Sequence, residues 1–143
     1  MDIRVTGPRI GQASGLKMVY AASTKGTTAL WTELLVAARV LGLADELKRV
    51  FEEGRSSIAS RVSGSIPAMP WRARRWIGEM EEIAATFAAV GMTPRILLGA
   101  ADMYRMVGET RLADQTSRDP NPPLDDILDE LARHAQSGRS AAV

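Results

Sequence analysis

The stretch from Gly11 to Leu41 constrains this chain most. Leu16, Val19, Ser23, Gly26, Leu30, Leu34, Ala37 and Leu41 recur at steps of three and four, the spacing of one face of an α-helix. No proline interrupts the run, and Gly42 stands where a helix C-cap belongs. A helix of that length extends about 45 Å. That is long for a chain of 143 residues. Such a helix runs through the middle of the domain or out into a partner. The stripe is rich in small residues in its first half and in leucine in its second.

Further helical segments follow. Ala44–Glu53 reads as a second helix, closed by Gly54, and Ser56–Val62 as a short third. Residues Ser63–Pro70 read as a loop, and Pro70 suits the first turn of the next helix. That helix runs to Val90 with Trp76, Met80, Ile83, Phe87 and Val90 on one face, and Gly91 ends it. Thr93-Pro94 opens another, as N-cap and first residue, with Leu97, Ala101, Tyr104 and Val107 along its stripe. A polar connection over Gly108–Pro122 leads into a last helix bearing Leu124, Ile127, Leu128, Leu131 and Ala135. Asp125 and Asp126 lie in its first turn, where the helix dipole favours acids. Gly138–Val143 reads as a disordered tail. Ile3 and Val5 alternate with Arg4 and Thr6 before Gly7-Pro8, the pattern of one short strand and a turn. A lone strand needs a partner, and the remaining sequence offers none. The fold class is therefore all-α and multi-helix, with a short N-terminal strand.

Composition removes several functions. Eighteen Lys/Arg against seventeen Asp/Glu leave a formal charge of +1, without the basic excess of a nucleic-acid binder. No apolar run approaches the ~20 residues that span a bilayer, and no signal core follows the N-terminus. There is no cysteine, hence no disulfide, thiolate metal site or cysteine nucleophile. These features fit a cytoplasmic protein that meets neither membrane nor nucleic acid. The single histidine, His134, reads as solvent-exposed on an acidic helix, and no metal site is expected. Trp31, Trp71 and Trp76 read as packing residues, and the methionines as gap fillers.

Two segments can carry chemistry. In Gly11-Gln12-Ala13-Ser14-Gly15-Leu16-Lys17-Met18-Val19-Tyr20-Ala21, a lysine stands among small residues that allow close approach of a ligand or backbone. Lys17, Ala13, Tyr20, Ala21 and Thr24 share one helix face. A lysine in a cleft can serve as general acid or base, although a surface lysine on a long helix is the commoner case. Arg72, Arg74 and Arg75 sit at a helix start, where the dipole prefers acids. They suit a substrate carboxylate or phosphate, or simply a solvated face in which Glu79 pairs with Arg75 one turn away.

The first segment resembles the helix-opening motif of the β-hydroxyacid dehydrogenase family, a glycine-rich turn followed by a lysine. Gly11 matches the first glycine, Ala13 stands at the second, and Lys17 matches the catalytic lysine. Trp76-Ile77-Gly78-Glu79-Met80 lies where the family has a lysine-aspartate pair, and the departure resembles the C-terminal domain of 6-phosphogluconate dehydrogenase-like proteins. The resemblance covers Ile3 to Val107. It implies a helical substrate and dimerisation domain over 11–115. Residues 1–10 would be a residual strand and linker, and 116–143 a connection, C-terminal helix and tail. It implies Lys17 as acid/base, with Ser14, Tyr20, Arg75 and Glu79 near a small hydroxyacid substrate. It also implies NAD(P) as the parent family's cofactor, and a homodimer.

Two departures matter. The family's asparagine after the lysine is Ala21 here, with Tyr20 before it. No strand-turn-helix carries Gly-x-Gly-x-x-Gly, so no cofactor is expected to bind this chain alone. A separate nucleotide-binding domain would have to supply it. The alternative reading is a non-enzymatic helical homodimerisation module. A helical DNA-binding regulator rests only on the three arginines, and the net charge opposes it.

Overall fold

The structure is a computed structural model that describes residues 11–53 and 57–140. The expected strand at Ile3–Val5 and the cap at Gly54 lie outside the described residues. Seven α-helices follow one another among those described: α1 (Gln12–Ala21), α2 (Thr27–Val40), α3 (Ala44–Glu53), α4 (Ser57–Ser65), α5 (Ala73–Ala89), α6 (Arg95–Gly108) and α7 (Leu124–Ser140). The all-α, multi-helix class is thus what the chain adopts.

Helices α5 and α6 form the centre, packed along their lengths as a hairpin across residues 90–94. Their facing stripes are those read from the sequence. Met80, Ile83, Leu97, Ala101, Tyr104 and Val107 are all buried. Val90, the last member of the α5 stripe, is instead 70% exposed, because the chain leaves the helix there. Helix α2 lies across α6 and α7, and Ile127, Leu128 and Leu131 close the core from α7. Arg39 ties α2 to α7 through Asp125 at 2.8 Å and Asp129 at 3.0 Å.

Two glycines stop their helices as the sequence requires. Gly42 has φ 73° and Gly91 φ 82°, a region that a side chain disfavours. At each, the next N–H reaches back across the last turn, Leu43 to the Ala38 carbonyl at 2.9 Å and Met92 to the Phe87 carbonyl at 3.0 Å. Helix α6 opens one residue later than read, with Pro94 as its N-cap, and Thr93 Oγ1 before it accepts from the Arg95 N–H at 3.3 Å.

Several expectations need correction. The short third helix extends to Ser65, past Val62. A 3₁₀ turn over Pro70–Arg72 precedes α5, and another over Arg111–Asp114 orders the polar connection. Arg74 holds that connection, bonding the Gly108 carbonyl at 3.0 Å and Asp114 at 2.7 Å. Helix α7 continues through Gly138 to Ser140, so the part of the expected tail that is described is helical. His134 is half-buried and meets Glu109 at 3.0 Å.

The most consequential correction concerns the long first helix. It is helical throughout, but a π-helical turn over Ala22–Gly26 separates α1 from α2. Its apolar stripe also faces outward. Leu16 (57% exposed), Val19, Leu30 and Leu41 are all exposed, while the core takes Thr28, Ala29, Thr32 and Val36 from another face. Helix α1 buries none of its residues. Ile83→Ala should therefore cost about 2–5 kcal/mol. Leu16→Ala should stay within about 0.5 kcal/mol. Urea unfolding of the two variants measures this, and equal costs would contradict the assignment of faces.

Candidate functional site

The π turn follows from its sequence. Ser23-Thr24-Lys25-Gly26-Thr27-Thr28 is the poorest helix-forming stretch of the long helix. Short hydroxyl side chains compete for backbone carbonyls and loosen the helical ladder. Here the Ser23, Thr24, Thr27, Thr28 and Thr32 hydroxyls each donate to a carbonyl one turn back. Gly26 lets the turn sit close on α6. A Cβ there would meet Leu97 Cδ2 at 3.3 Å.

Tyr104 of α6 meets the turn from below. Its ring is fully buried, and its hydroxyl donates to the Lys25 carbonyl. The Ala29 backbone N–H faces the same hydroxyl oxygen. In an α-helix that N–H and that carbonyl would bond each other. The phenol thus meets the helix ladder at this step, donating to the carbonyl with the N–H facing its oxygen. Burial is the main cause that pushes the phenol's pKa well above its usual value, so the group remains a donor.

Lys25 continues inward from the same turn. Its ammonium pairs with Glu79 of α5 and lies 5.6 Å from the centre of the Trp76 ring. Glu79 also accepts from Arg75 Nε at 3.2 Å, one helical turn earlier. Trp76 meets Tyr104 edge to face at 5.2 Å, and its buried Nε1 has no hydrogen-bond partner among the described residues. Lys25 and Glu79 are both half-buried, so one carboxylate balances two cations at the edge of the core.

The residues read from the sequence separate into two places. Arg75 and Glu79 come together, around Lys25. Ser14, Lys17 and Tyr20 stand exposed on α1, Tyr20 at 69%. No hydrogen bond or ion pair joins their side chains to the Glu79 cluster among the described residues. Lys25, Trp76 as its cover, and Tyr104 were missed as site residues. The signal available was the Ser-Thr-Lys-Gly-Thr-Thr run, whose helix-poor composition marks an irregular turn. Arg72 stacks on Trp71 at 4.0 Å and bonds the Ala68 carbonyl, Arg74 holds the connection and Arg75 pairs with Glu79, so all three arginines have partners within the chain. Among the described residues, no cluster of His, Asp and Glu could hold a metal, and no helix is long and apolar enough to cross a membrane.

These features define an all-α domain with a half-buried polar cluster beside a helical irregularity. Residues 38–107 of it match the family model described as "Domain of unknown function (DUF1932)". That segment holds Arg75, Trp76, Glu79 and Tyr104 and excludes both Lys17 and Lys25. The chain is also 32% identical over 114 residues to the "Uncharacterized 28.5 kDa protein in 7S RNA 5'region" of Methanothermus fervidus. That match covers 76% of this chain and 44% of the relative, so this chain spans under half of the relative's length. No solved structure matches the chain.

Removing the phenol hydroxyl tests its place in the ladder. Tyr104→Phe removes a buried hydrogen bond and should cost about 0.5–1.5 kcal/mol. The pH dependence has a defined sign. The unfolded chain's phenol ionises near pH 10, whereas the buried one keeps its proton. Its contribution is whole below about pH 10 and is lost as pH rises towards the folded value. The stability gap between wild type and Tyr104→Phe, measured by urea unfolding from pH 8 to 11, should narrow above about pH 10. A gap independent of pH would contradict the buried phenol.

Proposed function

We propose that this chain is the substrate-side, helical half of an NAD(P)-dependent hydroxyacid oxidoreductase of the 6-phosphogluconate dehydrogenase-like kind. One observation carries the proposal. The helix that bears Ser14, Lys17 and Tyr20 packs only Met18 and Ala21 partly against the core and presents Leu16, Val19 and Tyr20 to solvent. Exposed apolar side chains beside a candidate acid/base suit a surface that another domain covers. The M. fervidus relative supports this, because more than half of its length lies outside the match, room for one further domain.

The described residues do not fit a dinucleotide by themselves. All the regular elements among them are helical, and the sequence has no Gly-x-Gly-x-x-Gly after a strand to bring a pyrophosphate to a helix N-terminus. The nucleotide site belongs to the covering domain in this reading. This chain's part is to bind a small hydroxyacid and move a proton. Lys17 takes the proton of the substrate hydroxyl, with Ser14 and Tyr20 hydroxyls as neighbouring donors. Arg75, whose guanidinium edge beyond Nε is free to bond, suits a substrate carboxylate. Shielding of Lys17 from water must come from the covering domain, since Ser14 and Tyr20 beside it on α1 are exposed.

A second reading, homodimerisation, is favoured by a groove of about 450 Å³ between α2 and α6. Its floor is small, with Gly26, Ala29, Gly99 and Ala100, while Leu30 (60%) and Ile96 (76%) project beside it. Glu33 and Arg95 line it without an ion-pair partner among the described residues. Knob, hollow and opposite charges on one face are what a two-fold contact requires. The two readings are compatible.

Titration of the purified chain with NADPH, followed by tryptophan fluorescence, should show no saturable binding up to millimolar. Saturable tight binding would place a nucleotide site in this chain and overturn the division of labour. In the enzyme completed by a nucleotide-binding domain, Lys17→Ala should lower turnover by about 10²–10⁴-fold. Turnover like wild type would sink the assignment of Lys17. For the dimer, light scattering at tens of micromolar should give twice the chain mass, falling to one with Glu33→Arg and returning with Glu33→Arg/Arg95→Glu. A wild-type monomer would contradict it.

A further inference from the structure

The π turn lies between the core and the helix that carries Lys17. An extra residue in a helix advances everything beyond it by about 100° around the axis. A π turn absorbs such a residue locally. Whether the turn stays open therefore decides which way α1 faces. Three contacts act on the turn from the core side. The Tyr104 hydroxyl enters between the Lys25 carbonyl and the Ala29 N–H. Lys25 is anchored to Glu79 and covered by Trp76. Gly26 lies against Leu97. Only the first of these stands between the two backbone groups that would otherwise close an α-helical bond. The other two hold the side of the turn nearest α2, which stays in place in either form.

We infer that Tyr104 is a positioning residue: its hydroxyl keeps the π turn open and so sets the rotational phase of α1 and of Lys17. The consequence for activity rests on the proposed role of Lys17, but the phase itself does not. Without the hydroxyl, the Lys25 carbonyl and Ala29 N–H bond each other, the turn closes to α, and α1 rotates by about 100°. Lys17 then leaves the face on which the substrate is bound. The chain length encodes the same phase. Deleting Ser23, which is exposed and upstream of Lys25, removes the extra residue and returns α1 to its original phase in a regular α-helix.

The chain has no cysteine, so paired spin labels can be placed without background. Gln12→Cys is combined with Glu82→Cys on α5 or with Ser137→Cys on α7, all at exposed positions. A 100° rotation carries a side-chain tip about 8 Å around a helix of this diameter. Tyr104→Phe should shift at least one of the two distances by several Å. Tyr104→Phe with Ser23 deleted should restore both, with circular dichroism confirming that both variants are helical. Turnover of the enzyme completed by its nucleotide-binding domain should fall in Tyr104→Phe and recover in the double variant. Unchanged distances in a folded Tyr104→Phe chain overturn the inference. Shifted and restored distances with turnover unmoved leave the phase mechanism standing and remove Lys17 from the site.

Discussion

The hydroxyl of Tyr104 occupies a place that the helix would otherwise close with its own hydrogen bond. It bonds the Lys25 carbonyl while the Ala29 N–H faces it, and everything near the candidate site follows from that wedge. The π turn lets Lys25 reach Glu79 across the helix junction, and Trp76 fills the space between Lys25 and Tyr104. A buried phenol is suited to this position. It can accept and donate at once, and burial keeps it protonated far into the alkaline range.

The arrangement divides the molecule into a settled part and an exposed one. Helices α5, α6 and α7 with α2 enclose a continuous apolar core. Helix α1, beyond the π turn, has no fully buried residue and rests on the core through Met18 and Ala21 alone. The half-buried Lys25–Glu79 pair belongs to the boundary between them. A pair of this kind adds little stability by itself, since the desolvation of both ions offsets their attraction. Its value lies in fixing one geometry, and Arg75 on the far side of Glu79 holds the carboxylate in that geometry. The contrast between a closed core and a helix with an exposed apolar face is what a domain that completes its site with another domain would show.

Much of the fold was legible in the sequence because its signals are local. Gly42 and Gly91 ended helices where only a positive φ closes the turn, and Thr93-Pro94 opened one. The α6 stripe of Leu97, Ala101, Tyr104 and Val107 is buried as its spacing implies. The stripe of α1 and α2 was legible as a helix but not as to its facing. Periodicity gives the angle between side chains and says nothing about which side meets the core when two faces are apolar. The core chose Thr28, Ala29, Thr32 and Val36, small or β-branched side chains that let α2 approach α6 closely. The Glu79–Arg75 pair was legible from its one-turn spacing. Lys25–Glu79 was not, because it joins residues far apart in the chain, and neither was the Tyr104 wedge.

The wedge is observable directly by NMR of the chain with tyrosine labelled at the hydroxyl-bearing ring. A phenol bonded on both sides should give a slowly exchanging hydroxyl proton, with cross-relaxation to the Ala29 amide proton and an interrupted helical pattern of contacts over Ala22–Gly26. A rapidly exchanging hydroxyl, with an unbroken α-helical pattern from Gln12 to Val40, would contradict the account.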